Sequence, residues 1–308
     1  MRKFQVAVIL INYNSSQYTL DCINSIRSQT SVRYQIVVID NNSRSSEFEK
    51  LSALDEYNEV TLIRSKLNVG FSGANMMGVQ VADADYYFFL NNDTIVLNDC
   101  ISVLVSFMES HPQVANCTGE MFNGKNKHEY SFQYFPTLSV RLLGTGILKR
   151  LSPERFPDKR KHYEEPIRVD LVSGSAMFIR ARHFEEIGGF DTNFFLYCEE
   201  EDIALRLSRQ GYYTYLVPKA RYQHFESKSS ASDSSIRLPY LQEFYISSLY
   251  YYAKNYSMPY RMAIQFLYFF KLIRKFYKNV AYVRLAFFVA GGANMKHSLR
   301  FKQKIGEH

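Results

Sequence analysis

Apolar residues in this chain fall into short unbroken runs that end in polar clusters, and the gaps between runs are long enough for helices. Val6–Ile11 and Gln35–Ile39 are rich in β-branched residues and end at Asn12 and Asp40. Continuous runs of this length predict parallel strands covered on both faces. Residues 17–29 between them read as a helix, with Asn12–Ser16 supplying its cap. A third strand is expected over Val60–Arg64, followed by the turn Asn68-Val69-Gly70. From Ser72 onward Ala74, Met77, Gly78 and Val81 keep helical spacing, and their small members let that helix lie close to the sheet. The pattern is βαβ.

The run Tyr86–Leu90 organises the rest. It predicts a buried strand that ends in Asn91-Asn92-Asp93 and so presents Asp93 at a carboxyl edge, where open α/β sheets bind ligands. Asn and Asp also cap ordinary turns, so these three residues by themselves fit either role. Leu97-Asn98-Asp99 caps a helix with apolar positions Ile101, Leu104, Val105 and Met108, and Gln113–Thr118 reads as a short strand. Residues 123–167 have weak periodicity and mixed charge, which predicts a mobile, partly helical insertion. Val169–Ile179 is expected as a strand interrupted by Ser173-Gly174-Ser175, where something approaches the backbone closely. A short helix over His183–Ile187 stops at Gly188-Gly189. Glu199-Glu200-Glu201-Asp202 then opens a helix running to Gly211, Tyr212–Val217 makes another strand, and His224 follows it.

Charge divides the 308 residues into two parts. Residues 233–308 hold 12 Lys and Arg against 3 Asp and Glu, leaving residues 1–232 with 25 against 27. The overall +7 therefore belongs to the tail. The expected organisation is one large domain over 1–232 and a basic, aromatic helical extension over 233–308. Cys22, Cys100, Cys117 and Cys198 show neither C-x-x-C nor zinc spacing, so they are expected to be reduced and buried. Met1-Arg2-Lys3 leads straight into a strand with no signal-peptide core, and no run reaches the roughly 18–20 apolar residues of a membrane span. A cytoplasmic protein is expected.

The first βα turn contains no glycine, so the dinucleotide fingerprint is absent and an NAD enzyme is disfavoured. Four acids at a helix start complement the helix dipole by about 0.3–1 kcal/mol each, and the same dipole keeps a general base ionised.

Taken in order, these features are a sheet without a dinucleotide loop, Asp40, the Asn-x-Gly turn, Asn-Asn-Asp, the small-residue strand, Gly-Gly-Phe-Asp, the acidic helix start and a late His. Over residues 5–228 they resemble the inverting glycosyltransferases of family 2, and within them the rhamnosyltransferase-like branch of bacterial surface polysaccharide synthesis. The resemblance implies an α/β GT-A fold with a mostly parallel central sheet, a nucleotide-diphosphate sugar donor and Mg²⁺ or Mn²⁺. It implies nucleotide-binding positions at Asn12, Asp40, Asn68, Gly70, Asn91 and Asn92, and metal ligands at Asp93 and His224. It also places Glu199, Glu200 and Asp202 on the family's acidic motif, with Glu200 where an Asp base is expected, so that either Glu200 or Glu199 is the base. The implied reaction transfers a sugar, rhamnose from dTDP-rhamnose being favoured, to a saccharide acceptor on a lipid carrier. Glu200 in place of Asp also admits a catalytically inert nucleotide-sugar-binding partner. A nucleotidyltransferase is disfavoured because no glycine-rich phosphate loop follows the first strand.

The tail carries 18 Phe and Tyr interleaved with cations. It suits amphipathic helices on an anionic membrane surface, at the inner face of the cytoplasmic membrane. It equally suits a helical cap on the catalytic domain or a homo-oligomer contact. No nucleic-acid-binding module is recognisable.

Overall fold

The computed structural model describes residues 2–225 and 238–305. The expected boundary at 232/233 lies outside the described residues. The N-terminal half follows the apolar pattern closely: β1 (Phe4–Asn12), α1 (Ser16–Gln29), β2 (Tyr34–Asp40), α2 (Ser45–Phe48), β3 (Val60–Arg64), α3 (Gly70–Val81) and β4 (Ala84–Asn91). Next come β5 (Thr94–Val96), α4 (Cys100–Ser110) and β6 (Val114–Asn123), the last longer than its apolar run because it continues beside a later strand. The insertion is built from β7 (His128–Glu129), β8 (Phe132–Gln133) and α5 (Leu138–Leu151). The strand expected over 169–179 is three pieces, β9 (Ile167–Val169), β10 (Leu171–Val172) and β11 (Ala176–Arg180), because the chain changes strand partner at Asp170 and turns at Ser173–Ser175. They are followed by α6 (Ala181–Glu186), α7 (Glu199–Arg209) and β12 (Tyr213–His224), and the tail forms α8 (Leu238–Asn255), α9 (Met258–Ile273) and α10 (Ala281–Ala290).

Among the described residues ten strands make one sheet, in the order β3-β2-β1-β4-β11-β6-β12-β5, with β7 on β6 and β9 on β12. The parallel core is β3-β2-β1-β4. Beyond it the sheet becomes mixed, since β11 runs antiparallel to both β4 and β6. Side chains alternate between two cores as the two-sided burial requires: Val6, Val8, Leu10, Tyr86 and Phe88 face one, and Ala7, Ile9, Tyr87 and Phe89 the other. Each of the larger aliphatic and Phe side chains among them stabilises the fold by about 1.5–3 kcal/mol. Gly78 lets α3 close on the sheet, because a Cβ there would stand 2.5 Å from Ile9 Cγ2. All four cysteines are free and buried.

The tail helices share a third core with the preceding part of the chain, in which Phe194 and Cys198 pack with Ile246, Tyr251, Tyr252 and Tyr268. Ser247 Oγ donates to the Leu196 carbonyl at 2.7 Å, and the Tyr252 hydroxyl donates to the Pro136 carbonyl. Among the described residues no helix is long and apolar enough to cross a membrane.

Candidate active site

β1, β2 and β4 end together, with Asn12 opposite Asp40 and Ile11 opposite Asn91. A cleft of about 590 Å³ opens over these ends. Asn68, Gly70, Asn91, Asn92 and Asp93 line it, as does Asn41, which the sequence left unassigned. Asn41 Nδ2 donates to Asn68 Oδ1 at 3.0 Å, and Asn41 Oδ1 accepts from the Val69 amide at 2.9 Å. These bonds set the edge of the turn.

Asn12 and Asp40 sit behind that wall. Both are fully buried. Asp40 Oδ1 accepts from Asn12 Nδ2 at 2.8 Å and Oδ2 from the Ser43 amide at 3.2 Å, with Arg64 Nε at 3.6 Å. Asn12 Oδ1 in turn accepts from Thr19 Oγ1 at 2.9 Å. Asn92 Nδ2 donates to Ser15 Oγ and Thr19 Oγ1 at 2.7 and 2.8 Å, which ties the end of β4 to α1.

Asp93 and His224 come together from distant parts of the chain, with Oδ1 and Nε2 3.0 Å apart. β12 pairs with β5 and places His224 opposite Thr94, so the register itself brings the imidazole to Asp93. Asn91 Nδ2 lies 3.4 Å from the same ring nitrogen. Among the described residues no group of three or more His, Cys, Asp or Glu gathers to hold an ion by protein ligands alone. The pair nonetheless fits a hard divalent ion: adjacent ligands about 2.1 Å from an octahedral centre are ~3.0 Å apart, and such ions complete their shells with water and phosphate oxygens.

The acidic helix start lies across a turn from this pair. Tyr197 and Cys198 both have left-handed backbone, with φ 74° and 68°, a conformation that costs of order 1–3 kcal/mol per residue. That double turn launches α7, and its four acids then part company. Glu200 packs beside Gly174, where a Cβ would stand 3.7 Å from Glu200 Oε1. Gly174 belongs to the turn whose Ser175 carbonyl accepts from the Asn91 amide at 2.9 Å. Glu199 is buried, and its Oε2 has no hydrogen-bond partner among the described residues. Burial pushes the carboxyls of Glu199 and Glu201 well above the ordinary range, and repulsion from Glu200 adds to it. Burial also raises Glu200, while a hydrogen bond from Glu201 pulls it back down.

Asp202 points elsewhere. Its carboxylate is fully buried and accepts from Arg206 Nε at 2.8 Å, Lys254 Nζ at 2.9 Å and Asn255 Nδ2 at 3.0 Å. Lys254 also donates to Asp191 at 2.8 Å. This network joins α7 to α8.

The model of glycosyl transferase family 2 matches residues 7–188. The chain belongs to that family. Among this family-2 chain's relatives, rhamnosyltransferase WbbL of Escherichia coli K12 is 29% identical over 236 residues, 73% of this chain and 86% of the relative. The N-acetylglucosaminyl-diphospho-decaprenol L-rhamnosyltransferase of Mycobacterium tuberculosis is 24% identical over 250 residues, 75% of this chain and 79% of the relative. Two solved structures share the fold. GalNAc-T7, solved with UDP, GalNAc and Mn²⁺, aligns with TM-score 0.58 at 20% identity, covering 81% of this chain and 50% of that one. The mannosyltransferase PcManGT of Pyrobaculum calidifontis, solved with GDP-Man and Mn²⁺, aligns with TM-score 0.56 at 14% identity, covering 94% and 75%. The fold is GT-A, and the family-2 chain is a glycosyltransferase.

Three cleft residues come from the tail of this family-2 chain: Tyr240, Leu299 and Gln303. Glu243, buried in α8, holds the returning segment by accepting from Ser298 Oγ at 2.8 Å and the Leu299 amide at 2.7 Å. Local pattern carries no signal for such a return. The one available hint is that Glu243 is one of only three acids in a strongly basic stretch.

Proposed function

We propose that this chain is an inverting glycosyltransferase that uses Mg²⁺ or Mn²⁺ to move a sugar from a nucleotide-diphosphate donor to a lipid-linked saccharide in cell-surface polysaccharide synthesis. dTDP-rhamnose is the favoured donor, because both of these relatives are rhamnosyltransferases. The observation that carries the reading is the Asp93–His224 pair, 3.0 Å apart with Asp93 lining the cleft, while Glu200 packs against the Ser173–Ser175 turn that is bonded to Asn91.

Asn41, Asn68, Gly70, Asn91 and Asn92 face the nucleotide in this reading, while Asn12 and Asp40 hold the strand ends from behind. Asp93 and His224 would ligate the divalent ion, whose charge, when bound, offsets that of the departing diphosphate. Glu200 is the base: its carboxylate takes the proton of an acceptor hydroxyl as that oxygen bonds to the anomeric carbon and the bond to the diphosphate breaks. The neighbouring Glu201 carboxyl opposes the rise of the Glu200 pKa and so keeps Glu200 ionisable. Asp202 positions α7 and carries no proton in the reaction, since Arg206, Lys254 and Asn255 already engage it.

A peripheral setting on an anionic membrane is supported by exposed apolar residues on α9 and α10, with Met262, Phe266 and Phe287 each about 60% exposed, beside Lys271, Arg274, Lys275 and Arg284.

The test is thermal protection by dTDP, UDP and GDP, each with and without Mg²⁺ or Mn²⁺, in the wild type and in Asp93→Ala. A ligand at a hundredfold excess over its Kd stabilises by about 2.7 kcal/mol. One diphosphate is expected to protect the wild type only with metal and to lose that metal dependence in Asp93→Ala. Protection by none of the three would remove the reading.

A further inference from the structure

Arg141 lies in the first half of α5, half-buried against aromatic rings of the tail. Its guanidinium carbon is 5.5 Å from the Tyr268 ring centroid, and its Nε approaches the Tyr252 hydroxyl at 3.5 Å. Among the described residues it makes no ion pair, and its two terminal nitrogens make no hydrogen bond. An inward-facing guanidinium is ordinarily matched by a carboxylate, because its desolvation is otherwise uncompensated. Here a second cation is brought up instead: Lys271 Nζ donates to the Arg141 carbonyl at 3.0 Å. Burial and the nearby Arg141 charge both pull the Lys271 pKa down.

Two different surroundings meet at this pair. On one side is the acidic start of α7, since the Arg141 charge reaches Glu201 and opposes the rise of its carboxyl. On the other, the helix breaks at Gly144 (φ 72°, ψ 160°) and turns Leu142, Ile147 and Leu151 outward, 58%, 51% and 73% exposed. Apart from its own helix and chain neighbours, no atom of the described residues lies within 4 Å of a Cβ built on Gly144 or Gly146, so the space beside the break is open. α9 packs against α5 and carries the exposed Phe266 and Phe270. The acidic helix start that carries Glu200, an unmatched cation pair and an apolar surface therefore follow one another.

That order matches a molecule with a sugar hydroxyl, a doubly charged link and a hydrocarbon chain. Arg offers the planar fork suited to phosphate oxygens, and Lys a second point charge. We propose that Arg141, with Lys271, binds the diphosphate of a prenyl-diphosphate-linked saccharide acceptor, with the hydrocarbon over Leu142, Ile147 and Leu151. The assignment rests on the glycosyltransferase reading and names the acceptor's anion site, separate from the donor cleft.

The test uses the full chain with saturating nucleoside diphosphate and Mn²⁺, titrated with farnesyl diphosphate, farnesol, inorganic diphosphate and vesicles of anionic phospholipid. Farnesyl diphosphate is expected to bind at least tenfold more tightly than farnesol. Arg141→Gln should abolish that preference, Arg141→Lys should keep part of it, and Lys271→Gln should reduce it, with the nucleoside-diphosphate protection of each variant equal to wild type. Equal binding of diphosphate and alcohol, or an unchanged preference in Arg141→Gln and Lys271→Gln, overturns the proposal. Displacement of farnesyl diphosphate by anionic vesicles at equal phosphate would assign the pair to headgroups and also overturn it. Nucleotide protection is read separately, so failure of the glycosyltransferase reading is distinguishable from failure of this site.

Discussion

Gly70 lies directly under Phe195: a Cβ at Gly70 would stand 2.2 Å from the Phe195 carbonyl oxygen, and the adjacent Phe71 amide donates to that oxygen at 2.8 Å. The turn that lines the cleft and the loop that launches the acidic helix are therefore one unit. Gly70 has φ 76°, so a side chain there is disfavoured by conformation as well as by space.

Gly70→Ala should cost more than about 1 kcal/mol of stability, since φ is incompatible and the opposing atom is backbone. It should also weaken nucleoside-diphosphate binding. Denaturant unfolding and the ligand-induced midpoint shift check the two effects, and a neutral result in both would disprove the coupling.

Two neighbouring acids should fail in different ways. Glu200→Gln is expected to lower kcat by about 10²–10⁴-fold with the KM for donor little changed, because only proton transfer is lost. Asp202→Ala leaves Arg206 and Lys254 together without their shared anion, and should cost about 3–5 kcal/mol of stability. Unfolding curves beside steady-state kinetics separate the cases. A destabilised Glu200→Gln with normal turnover would move the base elsewhere.

Activity should depend on pH through Glu200. Burial raises its carboxyl above the ordinary 4.5, so the ionised base is lost as pH falls through a value higher than that. The hydrogen bond from Glu201 opposes the rise, and Glu201→Ala should therefore move the acid limb of kcat/KM to higher pH. A limb that stays in place would sever the link between these two side chains.

The same burial sets a stability trend. Glu199 has a raised folded pKa, so its contribution is fully present below the unfolded value near 4.5 and is lost as pH rises through the folded one. Glu199→Gln, which removes the buried charge, should raise Tm at pH 8 and have a smaller effect near pH 5. Thermal scans across that range would show it.

Membrane contact through α9 should respond to single substitutions. Phe266 is 62% exposed, and inserting it into lipid would contribute about 1.5–3 kcal/mol. Phe266→Asp is expected to weaken binding to anionic vesicles more than tenfold without lowering Tm. Removing the whole tail would not be comparable, because α8 shares a core with Phe194 and Cys198.

The sequence by itself determined the parallel strands and the polar cluster at each strand end. These follow from local rules: apolar runs cannot stay in water, and the polar residues that interrupt them must lie where the sheet stops. The order of those clusters also carried the family. Tertiary structure decided which of the polar residues face the cleft. Asp40 and Asn41 are adjacent, yet one is walled in by Asn12 and Ser43 while the other lines the opening, a difference made by contacts from other elements. Tertiary structure also decided the Asp93–His224 pair through the β5–β12 register, the separation of Asp202 from Glu200 through Lys254 on α8, and the return of Leu299 and Gln303 to the cleft. Each depends on segments far apart in the chain, so no local pattern could encode it.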